Sequence, residues 1–206
     1  MKNIVFLLIS FCTVGFMLTS CENVQQKSEQ FKSKFDAAIK DGNLAVAKNV
    51  VNESEAYYNG LSENNKIKYN ECSPNYKVLL KAETYKKEFL VAAAFAKYDE
   101  QSHNKCEKII SDTKKYIKTL SGEDRAVFAE VFNWEELWEE FLVKSLAESY
   151  VRSIHECVKN NKESEAQRLS NESDSVLESL NVKLQKVYKN AAEAEANRLI
   201  QSDNSF

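Results

Sequence analysis

Apolar residues recur along most of the chain at the three- and four-residue spacing that lines one face of a helix. The first such series is Phe31, Phe35, Ala38 and Ile39. The turn Asp-Gly-Asn at 41–43 predicts the end of this helix, because glycine readily adopts the left-handed conformation of a C-terminal cap. No alternating apolar and polar pattern typical of strands is sustained, and the pattern therefore predicts an all-α fold.

The later helices are predicted by the same spacing together with helix start signals. Gly60 precedes a break at Leu61-Ser62, and Ser62 is expected to cap a third, shorter helix. Ser73-Pro74 predicts the start of a long helix, since proline suits the first helical position. Asn133, with Glu136 three residues on, resembles a capping box. It is expected to open the most amphipathic helix, whose apolar face is Trp134, Leu137, Trp138, Phe141, Leu142, Leu146, Tyr150 and Ile154.

One pattern of residues occurs three times along the chain. A shift of 59 residues takes Leu61-Ser62 to Leu120-Ser121, and a shift of 119 takes Leu61 to Leu180. The same shifts match Ala47 with Cys106 and Ala166, Val50 with Ile109 and Leu169, and Tyr69 with Phe128 and Tyr188. The spacing predicts a helical bundle or short solenoid of three divergent three-helix units, at about 31–72, 73–132 and 133–202. Neither this period nor its residues fit a named repeat family such as the 34-residue tetratricopeptide repeat.

Composition supports helices and argues against nucleic acid as a partner. The chain has only four glycines and one proline, too few for the turns of a sheet protein of 206 residues. It has 28 basic and 31 acidic residues, and loss of residues 1–20 would remove Lys2 and no acid, giving a net charge of −4. Since no basic surplus is available to bind a phosphate backbone, we expect no nucleic-acid partner.

The N-terminus has the plan of a secretory signal, with Lys2 followed by an almost unbroken apolar run from Ile4 to Leu18. The segment Leu18-Thr19-Ser20-Cys21 that closes it resembles the lipobox of bacterial lipoproteins. The resemblance implies that a peptidase removes residues 1–20 and that Cys21 carries the acyl anchor, with chains such as palmitate. It implies a cell-envelope protein on a bacterial membrane, with the outer membrane and its periplasmic face favoured over the cell surface.

A membrane-spanning helix and an ordinary cleaved signal are the weaker interpretations of this N-terminal segment. A membrane-spanning helix needs about 20 apolar residues, whereas this run is shorter and is interrupted by Ser10 and Thr13. An ordinary cleaved signal would leave Cys21 as a free thiol. Residues 21–30 then form either the lipidated N-terminus with a polar spacer or the frayed start of the first helix of the domain at 31–206.

The remaining mature cysteines are Cys72, Cys106 and Cys157, in a compartment that permits disulfides. If adjacent helices are antiparallel, Cys106 and Cys157 lie at the same end of the fold, together with His103 and His155. Three interpretations of these residues remain possible: unlinked thiols, a Cys106–Cys157 disulfide and a metal site. Metal is the least favoured, because His155 and Cys157, two residues apart, face different sides of a helix.

Aromatic and acidic residues form three further candidate features. Glu135, Glu136, Glu139 and Glu140 surround Trp138 and are interpreted as a solvated helix face rather than a cation or paired-carboxylate site. Trp138 is expected in the core, with an exposed partner anchor as the alternative. Tyr57 and Tyr58 are expected to be half-buried, with a glycan-stacking surface as the alternative.

These observations predict a lipid-anchored, non-catalytic helical protein that scaffolds or binds a partner protein. The sequence has no phosphate-binding glycine loop, metalloprotease helix or nucleophile elbow, so we expect neither catalysis nor a cofactor. The alternative is a lipoprotein that binds a small ligand or glycan in a pocket between helices, lined by Tyr or Trp. An enzyme built on the acidic cluster or on the His and Cys residues is the third hypothesis.

Overall fold

The computed structural model describes residues 24–96 and 100–204. Over these ranges the regular secondary structure is entirely α-helical, as the apolar spacing predicted. Among the helices that the structure describes, none has the length and apolar content needed to cross a bilayer. The predicted signal segment and the predicted lipid-bearing Cys21 lie outside the described residues.

Helix α1 covers residues 24–40 and is followed by eight more helices in the described chain. They are α2 (Leu44–Asn59), α3 (Glu63–Cys72), α4 (Tyr76–Phe95), α5 (Glu100–Lys118), α6 (Gly122–Val131), α7 (Trp134–Lys159), α8 (Glu163–Ser179) and α9 (Val182–Asp203). The breaks predicted after residue 40, at Leu61-Ser62 and before Trp134 are all present.

Two of the predicted helix caps form as expected. Gly42 has a φ of +67° and lets the Asn43 amide donate to the Ala38 carbonyl at 2.8 Å, which closes the end of α1. The Ser121 hydroxyl accepts from the Asp124 amide at 3.1 Å at the start of α6. These local bonds satisfy backbone groups that a helix end would otherwise leave unpaired.

One predicted helix start and one predicted cap differ from those observed. Helix α4 begins at Tyr76, and the side chain of Asn75, not of Ser73, accepts from a first-turn amide, that of Val78 at 3.4 Å. The residue before a proline is driven to extended backbone, and Ser73 has a φ of −112° and a ψ of 128°. At α7 the Asn133 amide group donates to the Glu136 carboxylate at 2.7 Å, so the reciprocal backbone bonds of a capping box are not made.

Residues 24–30 are the start of helix α1 and not a polar spacer. Val24 is 2% exposed and Ser28 is 1% exposed, because both face the core of the domain while the polar residues between them face solvent. The domain therefore begins at least seven residues earlier than the predicted start at residue 31. These residues follow the ordinary four-residue helical spacing, and the apolar pattern did not show it because the second buried residue, Ser28, is polar.

The chain forms two compact units that alternate along the sequence. Unit 1 consists of the residues up to Lys87 together with 120–132, and unit 2 consists of 88–119 together with the residues from Asn133 onward. Helix α6 thus belongs to unit 1, although the helices on either side of it in sequence belong to unit 2.

The core of unit 1 is rich in aromatic rings from α1, α2, α3 and α4. Its buried apolar residues include Val24, Phe31, Phe35, Ala38, Ala47, Val50, Val51, Tyr69 and Tyr76. The Phe35 and Tyr76 rings lie 5.3 Å apart between centroids, and the Tyr57 and Tyr69 rings 5.7 Å apart. Such tilted pairs add to the stabilisation that comes from burying apolar area.

The core of unit 2 lies mainly between α7 and α9. Its buried apolar residues include Val143, Ala147, Leu184, Tyr188 and Ala191. The face of α7 that packs inward is rotated from the predicted one, because Leu142 is 43% and Leu146 42% exposed. The rotation brings Glu148, a residue that a search for apolar positions passes over, to the buried side.

A charged network accompanies this apolar core. The Glu195 carboxylate is buried and accepts from Arg198 at 2.7 Å and from Arg152 at 3.1 Å. Glu148 lies 3.9 Å from the same Arg152 guanidinium. Two carboxylates and two guanidinium groups balance in charge, which is the condition under which buried ions are tolerated.

Candidate functional site

Unit 1 contains a cleft of about 630 Å³. It lies between α2, the connection from α3 to α4, and the first turn of α6. Its amphipathic lining comes from Tyr58, Tyr69 and Tyr76, and its amide lining from Asn59, Asn70 and Asn75. A cleft of this size that combines aromatic faces with a few polar groups has the properties of a small-molecule site.

The α3–α4 connection forms one wall of the cleft and is held by helix α1. The Ser28 hydroxyl donates to the Cys72 carbonyl at 3.1 Å, and the Tyr76 hydroxyl donates to the Ser28 carbonyl at 3.3 Å. Burial raises the pKa of Tyr76 to about 12, so this phenol stays protonated and keeps donating. The wall that carries Pro74 and Asn75 is therefore fixed from behind by two bonds.

The polar side chains of the cleft are already oriented by one another. The Asn70 amide donates to the Tyr58 hydroxyl at 3.4 Å, and the Asn75 amide donates to the Asp124 carboxylate at 3.0 Å. Lys77 forms an ion pair with Glu55 across the same cleft. Groups that are held in place in the empty protein lose little conformational freedom when a ligand binds.

The cleft carries more acidic than basic groups. Among the described residues, the lining contains three acidic side chains, those of Glu55, Glu123 and Asp124, and one basic side chain, that of Lys77. Glu123 and Asp124 lie in the first turn of α6, where the helix dipole stabilises negative charge. The arrangement offers carboxylate and amide acceptors, amide donors and the ring of Tyr58, which suits an uncharged hydroxyl-bearing ligand better than an anion.

The two predicted surface tyrosines have different environments. Tyr58 lines the cleft, with its ring 5.9 Å from that of Tyr69. Tyr57 is half-buried between Phe31 and Tyr69, at centroid distances of 5.8 and 5.7 Å, and burial raises the pKa of its phenol. Both are half-buried, as expected for amphipathic rings, and Tyr58 alone of the two faces the cleft.

Trp138 packs against its own unit, as expected for a core residue. Its ring stacks on Phe141 at 5.4 Å and meets Phe89 edge-on at 6.5 Å, which leaves it half-buried. Of the surrounding acidic cluster, Glu136 and Glu140 both pair with Lys183 of α9. Across residues 24–96 and 100–204, no group of three or more His, Cys, Asp or Glu side chains could hold a metal ion.

The structure does not bring Cys106 and Cys157 together, and both are free thiols. Helices α5 and α7 are antiparallel, as assumed, because His103 contacts Phe141 while Lys114 lies over the ring of Trp134. Cys157 is 16 residues beyond Phe141 in the sequence. At 1.5 Å per residue it is about 24 Å further along α7 than that contact.

The assumption that failed is the register of the two helices, not their direction. A disulfide requires Cα atoms within about 7 Å, which this register does not provide. The histidines are separated in the same way, since His155 lies 2.9 Å from Asp203 and His103 lies near Glu107. The expected grouping of His and Cys residues at one end is therefore wrong.

Sequence reasoning found Tyr58 but missed the rest of the cleft. The Asn residues and the first turn of α6 come together only through the fold, since Asn75 and Asp124 are 49 residues apart. One local signal was available, because a Ser-Pro-Asn turn lies between the two tyrosines at 69 and 76. Such a turn places several polar side chains at one edge of two aromatic-bearing helices.

Comparison with protein-family models, with curated proteins and with solved structures found no match to this chain.

Proposed function

We propose that this protein is a lipid-anchored, non-catalytic binding protein of the bacterial cell envelope, which holds a small hydroxyl-rich ligand in the unit 1 cleft. The single observation that carries the ligand-binding part is the cleft itself, with its tyrosine and amide lining. The anchor rests on the lipobox-like segment that ends at Cys21. We place the protein on the outer membrane, at its periplasmic face.

The ligand class follows from the chemistry of the lining. A sugar presents an apolar ring face and a rim of hydroxyl groups that both donate and accept. The ring of Tyr58 matches the face, while Asn59 and Glu123 offer donors and acceptors to the rim. The ion pair between Lys77 and Glu55 neutralises two of the charges, and the remaining carboxylates of Glu123 and Asp124 can accept hydrogen bonds from ligand hydroxyl groups.

A second candidate function is that of a scaffold that binds a partner protein. The observation that favours it is a set of large apolar side chains on unit 2 that are about half exposed. These are Leu90, Val91 and Phe95 on α4 and Leu142 and Leu146 on α7. Leu142 and Leu146, four residues apart, share one face of α7, and exposed apolar side chains on one face are typical of protein interfaces.

We further propose that the chain consists of three divergent three-helix units, α1–α3, α4–α6 and α7–α9. Support comes from two hydrogen bonds at matching positions. Ser54 pairs with Tyr69, and 119 residues further on Ser173 pairs with Tyr188. The starts of α3, α6 and α9 also follow the same spacing, with caps at Ser62, Ser121 and Asn181.

The anchor is tested with Cys21→Ala in the full chain. Metabolic labelling with a palmitate analogue should be lost, and the protein should leave the membrane fraction for the soluble fraction. The wild-type chain processed in parallel is the control. Unchanged labelling of the variant would overturn the anchor.

The cleft is tested by titrating the mature protein with neutral disaccharides, using maltose, cellobiose and chitobiose as probes and calorimetry as the readout. Glu123→Ala and Asn59→Ala should weaken the binding of a responsive probe about tenfold, roughly 1.4 kcal/mol. Glu130→Ala is the matched control, because Glu130 is an exposed residue of the same helix that does not line the cleft. Equal binding by all three variants would place the sugar elsewhere.

The scaffold role predicts a different pattern. Leu142→Glu should remove cross-links formed to a partner protein in intact cells, while Glu123→Ala should leave them in place. If Glu123→Ala removed the cross-links instead, the exposed apolar side chains of unit 2 would not be the binding surface.

A further inference from the structure

The folded domain begins almost at the proposed anchor. Val24 is buried at 2% exposure, so the chain is fixed in unit 1 from this residue onward. Only Glu22 and Asn23 lie between it and Cys21. Three residue steps span at most about 10 Å, since a fully extended chain advances about 3.3–3.6 Å per residue.

The same end of α1 supports the cleft. Ser28, four residues after Val24, makes the two hydrogen bonds that hold the α3–α4 connection. Four residues of helix cover about 6 Å. The cleft wall at Cys72–Tyr76 therefore lies within about 20 Å of the lipid attachment point, as the sum of the extended tether, the helical step and one hydrogen bond.

This distance is short compared with the reach of a flexible tether. A Gly-Ser linker of about 20 residues has a root-mean-square length of about 25 Å on its own and lets a domain rotate freely. The polar layer of a bilayer is about 5–8 Å thick on each side. A wall held within about 20 Å of the lipid attachment point therefore stays close to the headgroups.

We propose that the cleft takes its ligand from the surface of the membrane that carries the anchor, and that this ligand is the uncharged sugar headgroup of a lipid. The inference rests on the proposed function, since it needs both the lipid on Cys21 and a sugar-binding cleft. The charge of the cleft limits which lipid headgroups it can bind. The cleft has a net negative charge, because its described lining contains three acidic side chains, Glu55, Glu123 and Asp124, and one basic side chain, Lys77. A headgroup that exposes a phosphate is therefore repelled, while a neutral sugar is accepted.

The test uses the mature lipidated protein in vesicles of phosphatidylethanolamine and phosphatidylglycerol. A minor fraction of a diglycosyl diacylglycerol with a photoreactive group on its terminal sugar is the probe. After irradiation, mass spectrometry of the peptides should find the adduct on the segments that line the cleft. Glu123→Ala should lower its yield several-fold, and Glu130→Ala should not. A phosphatidylglycerol that carries the same photoreactive group should give no adduct there.

A variant with a longer linker tests whether glycolipid binding depends on the distance between the cleft and the anchor, since the lining of the cleft is unchanged. Inserting a Gly-Ser linker of about 20 residues between Asn23 and Val24 should lower the yield of the glycolipid adduct several-fold. The binding of a free disaccharide should not change, because the cleft is intact.

Three results would overturn the inference, and they differ in what else they affect. If a free disaccharide binds the cleft but the glycolipid gives no adduct, the ligand is soluble and the proposed function stands. If the glycolipid gives an adduct whose yield the linker does not change, the short tether does not deliver the headgroup to the cleft, and the proposed function again stands. If neither probe binds, the proposed function fails as well.

Discussion

The hydroxyl groups of Ser54 and Tyr69 lie 2.8 Å apart in the core of unit 1, where both residues are almost completely buried. The pair joins α2 to α3 and satisfies two polar groups that have little access to water. In unit 2 the hydroxyls of Ser173 and Tyr188 lie 2.6 Å apart, and the sequence separation of fifteen residues is the same. The second pair is only partly buried.

Tyr69→Phe should destabilise the protein by about 1–3 kcal/mol, because it leaves the buried Ser54 hydroxyl without its partner. Urea unfolding followed by circular dichroism would measure the loss. The double variant Ser54→Ala with Tyr69→Phe should recover part of the stability, since no unpaired hydroxyl remains. Tyr188→Phe should lower the free energy of unfolding by less than Tyr69→Phe, because Ser173 has access to water. A loss for Tyr188→Phe larger than for Tyr69→Phe would contradict this ranking.

Thr113→Val should stabilise the protein by about 1 kcal/mol. Thr113 is 0% exposed, and among the described residues its Oγ1 atom has no hydrogen-bond partner. Valine keeps the shape and removes the unpaired hydroxyl. Thr119→Val is the control, because the Thr119 hydroxyl donates to the Tyr116 carbonyl at 2.7 Å and its loss should bring no gain. A clear loss of stability in Thr113→Val would show that the hydroxyl is satisfied in solution.

Glu195→Gln should destabilise the protein at neutral pH by about 2 kcal/mol or more, since it leaves Arg152 and Arg198 without their shared buried carboxylate. The hydrogen bond from Arg198 holds the pKa of Glu195 below its ordinary value, and the hydrogen bond from Arg152 adds to this effect to a lesser extent. A lowered pKa in the folded protein means that the stabilisation is complete above the unfolded-state pKa. It is lost as the pH falls from about 5 downward.

Unfolding measured between neutral pH and pH 3 therefore separates the two proteins. The difference in stability between wild type and Glu195→Gln should shrink toward the acid end. Glu165→Gln is the control, because Glu165 also has a lowered pKa, from Arg168, but is exposed. Its substitution should change stability little at any pH. A difference between wild type and Glu195→Gln that stays constant with pH would mean that Glu195 does not titrate in this range.

The three cysteines of the described chain should react with an alkylating agent in the order of their exposure. Cys72 is exposed and should react first, Cys157 is partly exposed, and Cys106 is buried. Burial raises the pKa of Cys106 to about 11, which leaves almost no thiolate at neutral pH. Cys106 should therefore react only after unfolding.

Unreduced peptides from protein isolated from cells provide the companion measurement. No peptide should join Cys106 to Cys157, because the register of α5 and α7 keeps them apart. A linked pair in the mass spectrum would show that this register is wrong in the cell.

The helices were predictable because their signals are local. The spacing of apolar residues and single cap residues such as Gly42 and Ser121 depend on only a few neighbours in sequence. One error also has a local cause, at Ser73, where the restriction imposed by Pro74 moved the helix start to Tyr76. Neither the rotation of α7 that exposes Leu142 nor its register with α5 is set locally.

The sequence predicted the type of binding site but not most of the residues that form the cleft. A tyrosine-lined pocket between helices was one of the alternatives that the composition allowed, and Tyr58 was among the candidate residues. The pairing of Asn75 with Asp124 could not be foreseen, because these two residues meet only once α6 joins unit 1. The support from Ser28 was missed for the same reason.

The return of α6 to unit 1 has a consequence for how the protein is made. Protein synthesis proceeds from the N-terminus, so the segments of the chain become available for folding one after another. Unit 1 lacks Phe128 and Phe132, which are fully buried, until the segment 120–132 has been made. Unit 1 therefore remains incomplete while α5 is being synthesised. Cutting the gene after Lys87 would leave that state permanent.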